Sequence, residues 1–432
     1  MAATGLALLN QALEAVDMEN PFVFGNPVRG TSFVGRQRER QRLHRALQQG
    51  RSTLITGEPR MGKTSLLLAV KNDIEGFPES EHSHVCYLDA YALTGWRVPQ
   101  FWQAALESIR HLPSVRQAYD SAKREQFGTF LLERLFLQLE KEDRKLILIL
   151  DEFDRILHEP GLSRAEFYGG LRSLASRYNS LVLIIAARQS TDTLNSSTQE
   201  YSRTGSPYFN FMEEITVSTF TDKDVEQLLA KASFSEKEQQ YLADLSGGHP
   251  YILQVAAHFW YEMHAEQRDP AQHCEAVVWE TFNQVESILR NTWQLWSPYQ
   301  QMAFTMAALE AMPGLLSQRE FDVNRLLDDL PNVGPEQRQI IQRGFLREDA
   351  TKRCGATPTS AMMTWFLAEE LTRLLRPANP DIAAWLRAQQ WEGYLRQSER
   401  EAIGKALAAL KPLLQNGIST FVKAAVEAFI RM

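Results

Sequence analysis

The stretch "LITGEPRMGKTSLL", Leu54 to Leu67, constrains this chain more than any other. Its centre, GEPRMGKT, has the spacing G-x-x-x-x-G-K-[ST] and lies between a β-favouring run and an apolar helix start. Two glycines let the backbone turn so that successive N–H groups face phosphate oxygens. Lys63 then reaches the β- and γ-phosphates, the Thr64 hydroxyl ligates Mg²⁺, and the helix N-terminus adds its dipole. The expected phosphate-binding set is Gly57, Glu58, Pro59, Arg60, Met61, Gly62, Lys63, Thr64 and Ser65. The competing explanation is a glycine-rich turn with a fortuitous lysine. The strand before the motif and the helix after it argue against that.

A second motif, "KLILILDEFDRI" (145–156), ends an apolar strand in Asp151 and Glu152. With a phosphate loop upstream, Asp151 is expected to hold Mg²⁺, directly or through water. Glu152 is expected to orient and polarise the attacking water. An acidic strand end that caps the next helix is the competing reading, and Asp154 reads as ordinary solvated charge. A third strand, "LVLIIAARQST" (181–191), runs into Arg188. A polar group at such a strand end senses a γ-phosphate, or pairs with a nearby carboxylate. Glu152 and Arg188 are therefore the catalytic candidates, and Thr64 and Asp151 the metal candidates. Arg172 and Arg177, on the preceding helix, fit a solvated face better than an arginine finger for a neighbouring subunit.

These motifs sit in a βαβ series. Strands are expected at 52–56, 84–89, 146–150, 181–187 and 214–217, with helices near 63–74, 98–112, 121–142 and 163–178. Val/Ile/Leu-rich strands with little alternation are buried on both faces of a parallel sheet, so the fold class is a three-layer α/β P-loop domain. Beyond Val217 the chain reads as helical. Thr221 with Asp224 forms a capping box, and Pro250 suits the first turn of a helix. A helix over roughly 270–291 follows. Helices at 298–311, 319–328 and 335–344 then precede "FLRED" and "CGATPT", a small hairpin, and a closing helix; this order is the winged-helix pattern. The expected organisation is an N-terminal amphipathic helix (1–20; Leu6, Leu9, Leu13, Val16), a P-loop ATPase domain (21–218), a helical lid (219–294), a winged-helix domain (295–376) and a helical C-terminal docking segment (377–432).

Composition narrows the setting. The formal net charge of −7 argues against a surface that binds nucleic acid throughout. Cys86, Cys274 and Cys354 show no paired spacing, which points to a reducing, cytoplasmic environment. The N-terminus has no Lys or Arg before its apolar part, so no signal peptide is expected. No run of 18 apolar residues predicts a membrane span. His82, His84 and Cys86 alternate along one strand, and a buried strand explains them better than a metal site. Arg36, Arg38, Arg40, Arg42 and Arg45 make one helix basic, and a solvated face explains them better than nucleic-acid contact.

"NPVRGTSFVGRQRERQRL", "GEPRMGKTSLL", "LILILDEFD", "LIIAAR" and "LSGGHPYILQVAA" occur in that order over about 21–376. Together they resemble the STAND class of AAA+-related P-loop ATPases, which includes prokaryotic antiviral sensors and NLR-type receptors. The "FVGR" and "GGHPY" flanks are the more specific part. The resemblance implies a sheet order of 5-1-4-3-2 and ATP/ADP with Mg²⁺ as ligands. It implies that Phe33, Val34, Gly35 and Arg36 line the adenine. Gly248, His249 and Pro250 would pack over the base or ribose, and the winged helix would close over the nucleotide. The large repeat sensor common in that class is not evident. The sensor or effector would then be a separate polypeptide, docked on the terminal helices. Within 410–432, Leu413, Leu414, Ile418, Phe421, Val422, Ala425, Val426 and Phe429 form a broad apolar stripe. Packing on the chain's own winged helix explains that stripe at least as well.

Three functions follow. The first is a nucleotide-gated switch that forms homo- or hetero-oligomers and regulates an effector, in bacterial defence or signalling by resemblance alone. The second is an initiator-like AAA+ ATPase acting on DNA through its winged helix. Residues 295–376 hold nine Lys and Arg against ten Asp and Glu, and "PEQRQIIQRG" offers only Arg338 and Arg343, a poor footprint for duplex DNA. The third is a binder that does not hydrolyse ATP, against which Glu152 argues.

Overall fold

The structure, a computed structural model, describes residues 20–76, 82–198, 207–265, 270–311, 333–375, 377, 381–393, 397, 398, 400 and 401. The expected helices at 1–20 (but for Asn20) and 319–328, and the apolar stripe of 410–432, lie outside them. Contacts divide the chain into two units. One is Pro27–Ser218, and the other joins the residues before Pro27 to those after Ser218.

The first unit contains α1 (Gln37–Gln48), β1 (Thr53–Thr56), α2 (Lys63–Gly76), β2 (Ser83–Asp89), α3 (Val98–Ala105), α4 (Pro113–Arg124), α5 (Thr129–Lys141), β3 (Lys145–Asp151), α6 (Ala165–Arg177), β4 (Leu181–Ala186), α7 (Thr191–Ser197) and β5 (Glu213–Thr216). Its five strands are all parallel, in the order β2-β3-β4-β1-β5. That is the expected 5-1-4-3-2 order read from the other edge. β1 and β4 are buried throughout, and β3 from its second residue onward, because Leu, Ile and Val occupy both of their faces. β4 lies between β1 and β3, with Ile184 opposite both Thr53 and Ile149. The C-terminal ends of the phosphate-loop strand, the Arg188 strand and the Asp151 strand therefore fall side by side, where open α/β sheets bind ligands.

One expectation needs correction. The helices read over 98–112 and 121–142 are three. α3 stops at Ala105, and a break between α4 and α5 places Gln126 and Phe127 at φ 56° and 58°. Phe127 is buried there, its ring 5.8 Å from Tyr119. Burying that ring offsets much of the one or two kcal/mol that left-handed backbone costs at each of the two residues.

The second unit is mainly helical: α8 (Asp222–Leu229), α9 (Glu236–Ser246), α10 (Pro250–Ala265), α11 (Pro270–Leu295), α12 (Pro298–Ala311), α13 (Val333–Arg343), a hairpin of β6 (Leu346–Glu348) and β7 (Ala356–Pro358), α14 (Ala361–Leu375) and α15 (Ile382–Ala388). The capping box at Thr221 and Asp224 is present. β6 and β7 are antiparallel, with Leu346 opposite Pro358. Gly247 closes α9 at φ 60°, and a Cβ there would stand 2.6 Å from the Ser360 nitrogen. The stretch before Pro27 also packs here. Phe22 stacks on Phe234 at 5.5 Å, and the Phe22 carbonyl meets His258 Nδ1 at 2.9 Å. Among the described residues, no helix is long and apolar enough to cross a membrane.

Candidate functional site

The loop between β1 and α2 is shaped by close backbone approach. Gly57 has φ 154°, and a Cβ on it would lie 2.6 Å from the Val217 carbonyl oxygen at the end of β5. Gly62 has φ 88°, and nothing stands within 4 Å of where its Cβ would project. The loop is thus packed on the Gly57 side and open on the Gly62 side, a shape that fits phosphate oxygens. The Lys63 ammonium curls back to donate to the carbonyls of Gly57 (2.8 Å) and Glu58 (3.1 Å). It is only 7% exposed. Burial holds its pKa below the ordinary lysine value, against the opposing pull of the Glu152, Glu58 and Asp154 carboxylates; Arg188 adds to the lowering. Loop and acidic strand end are therefore in one electrostatic neighbourhood.

Asp151, at the end of β3, is 2% exposed, and its carboxylate is fixed at both oxygens. The Tyr87 hydroxyl donates to Oδ2 at 2.7 Å, and the Glu152 N–H to Oδ1 at 2.9 Å. Burial, reinforced by Asp151, pushes the Tyr87 phenol well above its ordinary pKa, so it stays a donor. Glu152 sits in left-handed backbone at φ 51°, strain of the kind that collects at functional sites. Its Oε2 accepts from Arg188 Nη2 at 3.1 Å. Burial disfavours the Arg188 cation, but Glu152, with Asp154 and Tyr91 adding to it, more than offsets this, and its pKa stands above the ordinary value.

Asp154, read from sequence as solvated charge, instead clamps the turn after β4. Its carboxylate accepts the N–H groups of Arg188 (2.7 Å) and Gln189 (3.3 Å). The far end of that turn is held by Glu214, which accepts the Thr191 N–H (3.0 Å) and hydroxyl (2.7 Å) and the Thr56 hydroxyl (3.1 Å). Tyr87, Asp154 and Glu214 escape a sequence reading because their partners lie far along the chain. The repeated acid in "DEFD" is the only local signal.

The flanking candidates divide between the units. Arg36, expected against the adenine with Phe33, Val34 and Gly35, turns its buried guanidinium onto the Met61 carbonyl (2.9 Å) and Glu39 (3.2 Å). It braces the phosphate loop. Val28 donates its N–H to the Ser65 hydroxyl at 3.0 Å. The Arg40 guanidinium lies over the Phe33 ring at 5.9 Å. His249 and Pro250 belong to the helical unit, where Pro250 opens α10 and the His249 ring packs 6.2 Å from Phe345.

Two arginines of the basic helix α1 pair with neighbouring elements, Arg40 with Asp73 of α2 (2.7 Å) and Arg42 with Glu213 of β5 (2.9 Å). Arg177 pairs with Glu133 at 2.8 Å. His84 contacts Arg144 at 3.2 Å, and burial with that cation lowers its pKa. Burial pushes the Cys86 thiol up to about 11. Among the described residues no cluster of three His, Cys, Asp or Glu could hold a metal. Mg²⁺ needs no such cage, since one carboxylate, a hydroxyl, phosphates and waters complete its shell. Thr64 and Asp151 would supply the protein's share.

The family model for an AAA-like domain matches residues 26–272. No curated protein matches the sequence. Among solved structures, the Walker-type ATPase PABY2304 of Pyrococcus abyssi is 14% identical, with a TM-score of 0.48 over 80% of this chain and 99% of its own. The ORC2 protein of Aeropyrum pernix in ADPNP–ADP complexes is 16% identical, with a TM-score of 0.43 over 77% and 94%. Cdc6p of Pyrobaculum aerophilum is 15% identical, with a TM-score of 0.38 over 79% and 97%. These likenesses are of fold and carry no argument about activity. With the phosphate loop, the strand order and a family match over more than half its length, the chain belongs to the AAA-like domain family of P-loop ATPases.

Proposed function

We propose that this protein binds ATP on Gly57–Ser65, hydrolyses it with Glu152 and uses the nucleotide state to set its own conformation. Thr64 and Asp151 would hold Mg²⁺, which when bound neutralises phosphate charge. The observation that carries the reading is the Glu152–Arg188 ion pair. The water-polarising carboxylate and the γ-phosphate sensor are engaged with each other. A γ-phosphate competes for Arg188 and releases Glu152; ADP offers no such competitor. A ligand shifts a conformational equilibrium only by its differential affinity for the states, and this pair supplies a difference between ATP and ADP. The proposed lid (219–294), with His249 and Pro250, and the proposed winged helix (295–376) would receive that change. The N-terminal helix (1–20) and the C-terminal segment (377–432) would offer docking sites to an effector in a STAND-type assembly. That last part rests on sequence resemblance.

The second reading is an initiator-like ATPase acting on DNA. Its support is the order of elements in the sequence, a P-loop ATPase core followed by a winged-helix pattern, which initiators share. Two measurements test these readings. Labelled ADP should bind the purified protein and fail to bind Lys63→Ala; no binding by the wild type would remove the nucleotide reading, and equal binding by the two would remove Lys63 from the site. Duplex binding that weakens steeply with salt would select the initiator reading, and its absence the switch.

A further inference from the structure

We propose that Tyr87 is a positioning residue that sets the Asp151 carboxylate to receive Mg²⁺. The inference rests on the nucleotide reading above and deepens it.

Tyr87 stands on the edge strand β2, in register with Ile149, two residues before Asp151 on β3. Side chains alternate along a strand. Cys86 and Leu88 pack against the core, so Tyr87 takes the opposite face, where its hydroxyl meets Asp151 Oδ2 at 2.7 Å. The Glu152 N–H occupies Oδ1 at 2.9 Å. Each carboxylate oxygen thus takes one donor and keeps lone-pair capacity for a metal ion or its bound water. A hydroxyl donating to a carboxylate is among the stronger neutral-to-charged hydrogen bonds, and it fixes the rotamer. The backbone donor comes with the chain's own path. The tyrosine is the side-chain choice, and it reaches Asp151 from a neighbouring strand.

The test is Tyr87→Phe, which keeps the ring and removes only the hydroxyl. Labelled-ADP affinity is measured in excess EDTA and across a Mg²⁺ titration, for wild type, Tyr87→Phe and Asp151→Asn. Losing such an outer partner lowers metal affinity by roughly 10- to 100-fold. The expected result is unchanged ADP affinity in EDTA and a Mg²⁺ midpoint raised about tenfold or more. An unshifted midpoint overturns the proposal. So does an equal loss with and without Mg²⁺, because that marks a purely structural tyrosine. If Asp151→Asn keeps the full Mg²⁺ response, the assignment of Asp151 falls and the tyrosine's role falls with it. If Asp151→Asn loses the response while Tyr87→Phe keeps it, only the tyrosine's role falls.

Discussion

Glu152 and Arg188 are bound to each other, Oε2 to Nη2 at 3.1 Å, although 35 residues of sequence separate them. Glu152 follows β3 and Arg188 follows β4, and these strands are hydrogen-bonded neighbours. Asp154 holds the Arg188 backbone, so the arginine enters from a fixed point. If Arg188 also reads the γ-phosphate, its removal should erase discrimination between nucleotides. In Arg188→Ala, ATP affinity should fall about tenfold, the worth of one charge-assisted hydrogen bond, while ADP affinity holds. Competition binding of both nucleotides measures this. An unchanged ATP-to-ADP affinity ratio would take the sensor role from Arg188.

Glu152→Gln keeps the shape of the side chain and removes its basicity. Turnover should fall by about 10² or more, the range for losing a general base, with ATP binding retained. Steady-state phosphate release against equilibrium binding separates the two. Turnover at the wild-type rate would remove Glu152 from the chemistry.

The two loop glycines should respond differently to alanine. At Gly57 the new Cβ meets the Val217 carbonyl at 2.6 Å, and that contact is backbone and does not yield. Gly57→Ala should cost about 1–3 kcal/mol of stability, read as a lowered Tm. At Gly62 the Cβ projects into open space. Gly62→Ala should lose less stability and most of its ADP binding. Equal Tm losses in the two variants would contradict this.

Lys63 makes a pH prediction. Burial lowers its pKa from 10.5. Phosphates beside the ammonium raise it again. Between those two values the free protein holds fewer protons than the complex, so binding takes up protons and affinity falls as pH rises through the window. Calorimetry of ADP binding in buffers of different ionisation enthalpy should show net uptake in the alkaline range below 10.5. Proton release there would reverse the assignment.

The parts legible in the sequence are those set by neighbours along the chain. The five strands, the glycine-lysine loop and the Asp151–Glu152 strand end each carry their signal within a dozen residues, because strand burial and phosphate-loop geometry are local demands. The capping box at Thr221 is legible for the same reason. The break at Gln126–Phe127 is not, since it depends on where the Phe127 ring finds a core to enter.

By itself the sequence determined that a glycine-lysine loop and the acidic pair Asp151–Glu152 lie at strand ends of a parallel sheet. Only the tertiary structure decided what surrounds them. Asp154 became a clamp, Arg36 a brace on Met61, and Tyr87 a partner of Asp151 across 64 positions. The physical reason is the strand order. With β4 between β1 and β3, side chains from separate stretches converge on one edge of the sheet, and a hydrogen bond between them leaves no periodicity in either stretch.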